Sequence, residues 1–123
     1  MKDQSSDLLP AAYGGLRTLQ QEFGTYQQAA FPHRPSNFFS LELCGEAGEL
    51  ANLEKKVWKG RVVAEENFVD EAADVLIALL NYANSRGIDL AAAAERKMAR
   101  IDRRRVEEGG EAPDTAALAN TAR

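Results

Sequence analysis

The sequence predicts an all-α protein, an antiparallel bundle of four helices that oligomerises. Apolar residues recur at steps of three and four in four separate segments, which is the spacing of one face of an α-helix. Glycine or proline separates these segments, and the connections between them are short, which favours antiparallel neighbours. No alternation of apolar and polar residues, the pattern of a strand, extends beyond a few positions.

The first helix is predicted over residues 11–30. Its apolar side chains step by three and four along one face: Leu16, Leu19, Phe23 and Tyr26. Pro32 and Pro35 follow it, and proline disfavours helix both at its own position and at the position before. The helix is therefore expected to end near Ala30.

The second helix is predicted from Ser36 or Asn37, either of which can cap its N-terminus, to about Lys59. Gly60 is the expected terminator. The stripe on its predicted buried face has six members: Phe39, Leu43, Glu46, Leu50, Leu53 and Val57. Five of them are apolar and Glu46 is not, so a carboxylate lies in the middle of a face that should be buried.

The third helix is predicted over residues 65–85 and ends at Gly87. Little of its circumference is polar, because it carries Val75, Leu76, Ile77, Leu79, Leu80 and Ala83. A helix that is apolar on most sides must be covered on most sides, and one small bundle rarely does so alone. We therefore expect a homodimer or homotetramer. Asp89 is the predicted cap of a fourth helix, over residues 90–107.

The length of 123 residues suits one domain. We expect a single helical domain over residues 10–107, with flexible segments at 1–9 and 108–123. The net charge of −4 gives no electrostatic reason to bind nucleic acid polymers or anionic membranes. A single cysteine, Cys44, cannot form an intrachain disulfide and is interpreted as a small buried thiol. With no targeting signal and no long apolar run, a soluble cytoplasmic protein is expected.

Two acidic pairs indicate a metal site. Glu46 and Glu49 are three residues apart on the second helix, and Glu71 and Asp74 are three apart on the third. Glu42 lies on the same side, four residues before Glu46. Antiparallel packing could bring the pairs together, where the carboxylates would repel one another unless a cation bound them.

The ligand types favour Mg²⁺, with Mn²⁺ as a substitute, because both prefer oxygen. Zinc usually recruits His or Cys, and the chain has one of each. Di-iron bundles need a Glu-x-x-His motif, and neither acidic pair here ends in His. Such a magnesium site keeps positions open for water and phosphate oxygens, which makes phosphoryl chemistry the expected reaction class.

Phosphate would also need cations from the protein. Lys97, Arg100 and Arg104 step by three and four along the fourth helix, and Lys55 and Lys56 end the second. Both acidic pairs and basic rows also occur on solvated helix faces, so a non-catalytic helical dimerisation module is the alternative interpretation.

The segments "GEAGEL", "DEAADVLIALLNYA" and "GIDL" together resemble the MazG-like all-α nucleoside triphosphate pyrophosphohydrolases. The family pattern is Glu-x-x-Glu, a gap, then Glu-x-x-Asp, and the resemblance runs over about residues 16–104. It implies Mg²⁺-dependent cleavage between the α and β phosphates, giving a nucleoside monophosphate and pyrophosphate. The expected purpose is removal of unwanted nucleotides. A phosphoribosyl-ATP-type pyrophosphohydrolase is the alternative within the same chemistry.

The resemblance also assigns site residues. Glu46, Glu49, Glu71 and Asp74 match the metal-binding carboxylates, one of which would orient the attacking water. Lys97 matches a lysine expected to face phosphate. Asn81 lies where the family often places an Asn near the nucleotide, the alternative being a hydrogen bond in the bundle core.

The stretch "HRPSN" is similar to a His-x-Pro-x-Asn segment of the dCTP pyrophosphatase branch, which makes His33 a candidate base contact. The alternative is a surface histidine beside a helix cap. An aromatic residue of that branch would fall near Lys56, whereas this chain has Trp58 two places on. Ile101 and Val106 likewise replace an Asn and a Tyr, so the base preference is left open.

Overall fold

The computed structural model describes residues 9–109, so nearly all of the two predicted flexible segments, 1–9 and 108–123, lies outside the described residues. These residues form four α-helices and no strand, which confirms the all-α prediction. The helices are α1 (Tyr13–Ala30), α2 (Ser36–Trp58), α3 (Glu65–Arg86) and α4 (Leu90–Glu107).

Two predicted helix boundaries are confirmed at the α3–α4 connection. Gly87 adopts the left-handed conformation with φ +67°, which glycine enters without a steric penalty. The backbone N–H of Ile88 then donates to the carbonyl of Ala83 at 2.9 Å. Asp89 caps α4, because its Oδ1 accepts from the backbone N–H of Ala92 at 3.2 Å.

The predicted cap of α2 is wrong. Pro35 occupies the N-cap position, and no side chain makes a capping hydrogen bond. The carbonyl of Pro35 already accepts from the backbone N–H of Phe38 at 3.1 Å. The first turn therefore begins at the proline, so Ser36 and Asn37 lie inside the helix. At the other end Gly60 follows α2 with φ +88°, as expected for a terminator.

The helices pack as a hairpin with two flanking helices. α2 and α3 lie along each other, while α1 contacts α3 and α4. The second half of α3 is the most buried part of the molecule, and Leu80 is only 2% exposed. Small side chains at Ala83 and Ala91 accompany it in the core. Leu76 and Ile77 of α3 are each 42% exposed, so a single chain does not cover this helix on all sides.

The buried face of α1 differs from the predicted one. Leu19 and Tyr26 are exposed, whereas Gln20 is only 7% exposed. The Gln20 side chain reaches the end of α3 and the start of α4, so α1 is rotated to bury an amide rather than two apolar residues. A polar group is stable there because it is hydrogen-bonded.

Cys44 is exposed, so its interpretation as a buried thiol is wrong. Among residues 9–109, no helix is both long and apolar enough to cross a membrane.

Candidate functional site

Three carboxylates converge between α2 and α3. Glu46, Glu49 and Glu71 each place an oxygen within 4.8 Å of the others. Glu46 and Glu49 share one face of α2 because they are three residues apart, and Glu71 faces them from the first half of α3. The expectation that antiparallel packing would join the two acidic pairs therefore holds for three of the four groups.

Two oxygens of this cluster are buried without a partner. Oε2 of Glu46 and Oε2 of Glu71 are inaccessible to solvent, and neither has a hydrogen bond within the described part of the chain. A buried carboxylate oxygen with no donor is strongly unfavourable. A proton on one of the carboxyl groups, or a bound cation, would supply the missing partner.

The electrostatics agree with this geometry. The pKa of Glu71 is raised from 4.5 to about 7, first because burial removes water from its charged form. The carboxylates of Glu46 and Glu49 add to the effect, since they can accept a hydrogen bond from protonated Glu71 and repel its charged form. The cluster is therefore short of positive charge at neutral pH.

The remaining acidic candidates lie at the edges of the cluster. Asp74 is one turn beyond Glu71 on α3, is exposed, and is not among the three groups within 4.8 Å. Glu42 is one turn before Glu46 on α2 and is also exposed. It lines a cleft together with Asn81 and is not among the three groups that converge.

A cavity of about 360 Å³ lies between α1, the α1–α2 connection and the second half of α3. His33 and Asn81 both line it, so the structure brings these two predicted substrate contacts together. Phe31 and Phe39 give it apolar surface. Asn81 is only 7% exposed, and its amide has no hydrogen-bond partner among residues 9–109, so the alternative of a core hydrogen bond is not observed.

The cavity and the carboxylate cluster lie towards opposite ends of α3. Asn81 and Glu42 share a cleft at one end, and Glu71 and Glu49 meet at the other. From Glu71 to Asn81 the rise along α3 is about 15 Å. This separation is of the order of an extended nucleotide, with the aromatic cavity at one end and the carboxylates at the other.

The predicted basic contacts lie elsewhere. Lys97, Arg100 and Arg104 line a shallow cleft of about 340 Å³ on α4, and α4 packs mainly against α1. Lys55 and Lys56 are in the last turn of α2 and are exposed. A single chain therefore does not pack the α4 cations against the carboxylates.

Sequence reasoning missed three residues of α1 and of the end of α3 that shape the cavity. Gly24 and Asn84 both contribute to its wall, and Gln20 holds Asn84 in place. A signal was present, since Gln20 continues the helical face of Leu16 and Phe23. Gln20 resembles Glu46 in this respect, because each is a polar residue on a helical stripe of apolar side chains.

The family comparison agrees with the carboxylate pattern. Residues 37–107 match the model of the MazG nucleotide pyrophosphohydrolase domain, more than half of the chain and nearly all of α2 to α4. No curated protein and no solved structure gives a significant match. The matched region contains both acidic pairs, Asn81 and Lys97. The chain therefore belongs to the MazG nucleotide pyrophosphohydrolase family.

Proposed function

We propose that this protein hydrolyses a nucleoside or deoxynucleoside triphosphate between the α and β phosphates, releasing the monophosphate and pyrophosphate. The observation that carries the proposal is the cluster of three carboxylates with two buried, unpartnered oxygens. An interaction module that used these groups only for solvation would have no reason to bury Glu46 and Glu71. The expected role is removal of unwanted or excess nucleotides.

The donor set fits a magnesium ion. Glu46, Glu49 and Glu71 offer oxygen only, the ligand type that Mg²⁺ prefers, with Mn²⁺ as a substitute. We propose that these three residues hold the metal and that Asp74 joins them from the next turn of α3. When bound, such an ion lowers the pKa of water and neutralises charge on the phosphates.

The protein groups have separate tasks in the reaction. Water adds across the α–β anhydride, and one of the four carboxylates accepts its proton while pyrophosphate leaves with the bridging oxygen. The packing of α2 on α3 brings Glu46 close to Glu71, so the charges are gathered before substrate arrives and less reorganisation is needed.

We further propose that the cavity beside α1 holds the base. Phe31 and Phe39 offer apolar surface for a ring. The buried amide of Asn81 and the imidazole of His33 offer hydrogen bonds at its rim. Because the cavity and the carboxylates lie towards opposite ends of α3, a nucleotide lying along this helix would place its phosphates at the acidic end.

Assembly into a homodimer or homotetramer is part of the proposal. Leu76 and Ile77 are half-exposed on α3, and Ile101 and Val106 are exposed on α4. A second copy of the chain would cover such apolar side chains. The phosphate-binding role of Lys97, Arg100 and Arg104 also remains a proposal, and a Lys97→Ala variant with a raised KM would support it.

The test is a panel of common NTPs and dNTPs, with Mg²⁺, with Mn²⁺ and with a chelator, resolving monophosphate plus pyrophosphate from diphosphate plus phosphate. Metal-dependent release of monophosphate and pyrophosphate is expected. Diphosphate and phosphate as products would contradict the cleavage position. No turnover by folded protein would favour the non-catalytic module, a result that magnesium titration calorimetry would then check.

A further inference from the structure

The side chain of Asn84 is oriented by Gln20. The Nε2 of Gln20 donates to Oδ1 of Asn84 at 3.0 Å, and Nδ2 of Asn84 donates to the backbone carbonyl of Gln20 at 3.2 Å. An asparagine amide is otherwise nearly symmetric in shape and can turn over, exchanging donor and acceptor. Here a turned amide would place N–H against N–H and oxygen against oxygen, so only one orientation is satisfied.

Gln20 is itself fixed by the backbone. Its Nε2 also donates to the carbonyl of Ile88 at 2.7 Å, and its Oε1 accepts from the N–H of Leu90 at 3.0 Å. The amide of Gln20 therefore cannot turn over either, because the helix connection supplies one acceptor and one donor at set positions. The orientation of the Asn84 amide is thus determined by the fold and not by a ligand.

The absence of a side chain at Gly24 permits this arrangement. A Cβ at Gly24 would lie 2.9 Å from Nδ2 of Asn84 and 3.4 Å from its Cγ. Glycine is unfavourable in a helix interior relative to alanine, and α1 continues for six more residues after Gly24. The close approach of Asn84 accounts for a glycine at this point in the helix.

Asn84 still has hydrogen-bonding capacity on the cavity side. Gln20 uses one amide N–H and one oxygen lone pair, which leaves one donor and one acceptor on a residue that lines the cavity. Asn81, one turn earlier, also lines the cavity but has no hydrogen-bond partner among the described residues. Asn81 can turn to suit its ligand, whereas Asn84 cannot.

We propose that Asn84 is a specificity-determining residue for the base, and that Gln20 and Gly24 are positioning residues that fix the direction of its amide. This inference rests on the proposed nucleotide function. A fixed donor and acceptor distinguish a base with an amino group at the contacting position from one with a carbonyl there. Such a site disfavours the wrong base because a polar group at the contact is then left unpaired.

The test compares kcat/KM within matched substrate pairs that differ in this one group: dCTP against dUTP, and ATP against ITP. In the wild-type enzyme we expect a preference of at least about tenfold within the better pair. In Gly24→Ala and Gln20→Leu we expect the preference to fall below about threefold, mainly through KM. Asn84→Ala should abolish it, and adding Gly24→Ala to Asn84→Ala should change nothing further.

Two substitutions on α1 serve as matched controls. A Cβ at Gly15 would meet no atom within 4 Å, so Gly15→Ala should keep the wild-type preference. Gln21 is exposed beside Gln20, so Gln21→Leu should keep it too. If Gln20→Leu does not fold, the comparison of Gly24→Ala with Gly15→Ala is sufficient to decide the question.

The inference is overturned if wild type does not discriminate within either pair, or if the variants slow all nucleotides equally with the preference intact. The second result would show a purely structural role for Gln20 and Gly24. Failure of the proposed function is separate, since it appears as no turnover by wild type. In that case the same substrate pairs are compared by dissociation constants from calorimetry, and an unchanged ratio in Gly24→Ala overturns the inference.

Discussion

Two polar sites in the described part of the chain differ in whether the fold supplies hydrogen-bond partners for them. At the junction of α1, α3 and α4, the amide of Gln20 makes three hydrogen bonds with Asn84, Ile88 and Leu90. Between α2 and α3, Glu46 and Glu71 each bury an oxygen that has no hydrogen bond in the part of the chain that the structure describes.

The contrast separates structure from function. A buried polar group with all its partners within the fold contributes to stability and fixes neighbouring elements. A buried charged group without a partner is unfavourable for the isolated fold, and its position is explained by something that binds it. Gln20 is of the first kind, and the carboxylate cluster is of the second.

The largest expected effect comes from removing a charge of the cluster. Glu46→Gln should lower kcat/KM by at least about 100-fold, because the proposed metal site would lose a ligand. The apo protein should keep its helical content and melt no earlier, since one of three repelling charges is gone. Steady-state kinetics and thermal melts monitored by circular dichroism measure the two effects.

Glu54→Gln is the matched control, because Glu54 is an exposed glutamate on the same helix. It should leave both activity and melting unchanged. If Glu46→Gln unfolded the protein while Glu54→Gln did not, Glu46 would have a structural role and the contrast between the two regions would be lost.

The reverse pattern is expected at the junction. Gln20→Leu should lower the free energy of unfolding by about 1–3 kcal/mol, because Asn84 and the backbone groups of Ile88 and Leu90 lose their partners in a partly buried place. Gln21→Leu, at an exposed position, should change it by less than about 0.5 kcal/mol. Urea denaturation of both variants would measure this, and equal stabilities would contradict it.

A smaller effect concerns pH. The pKa of Glu71 is about 7 in the folded protein and 4.5 as the reference value. Its protonation therefore contributes stability that is fully present below pH 4.5 and is lost as the pH rises through about 7. In a chelator, melting temperatures across this window should fall more for wild type than for Glu71→Gln.

Magnesium should act in the opposite direction. A metal ion binds the deprotonated carboxylates, so the stabilisation by Mg²⁺ should be greater at pH 8 than at pH 5. Stabilisation that was equal at both values, in wild type and in Glu71→Gln alike, would show that the ion binds somewhere other than this cluster.

The smallest effect is expected at the cap of α4. Backbone hydrogen bonding from Ala92, and then the Arg17 guanidinium at 3.0 Å, hold the pKa of Asp89 below its usual value of 3.8. The stability that this gives is present above pH 3.8 and is lost as the pH falls below it. Arg17→Met should weaken this acid dependence slightly, because both side chains are largely exposed. Melts between pH 2 and 5 would measure the difference, and identical curves would count against it.

The sequence predicted the four helices and the two acidic pairs because both depend on local spacing. Glu46 stood out because it interrupts a stripe of apolar residues. The rotation of α1 could not be predicted, since Leu19 and Tyr26 make a better apolar face than Gln20 does. What decides the rotation is a set of hydrogen bonds to residues 64 to 70 positions away, which no local pattern contains.

The same distance along the chain has a consequence for the order of folding. α2 and α3 are joined by a short connection and can pair early, whereas Gln20 meets Leu90 only when a 70-residue separation is closed. The pairing of α2 and α3, which brings the three carboxylates together, is therefore expected to form before the α1 junction that orients Asn84.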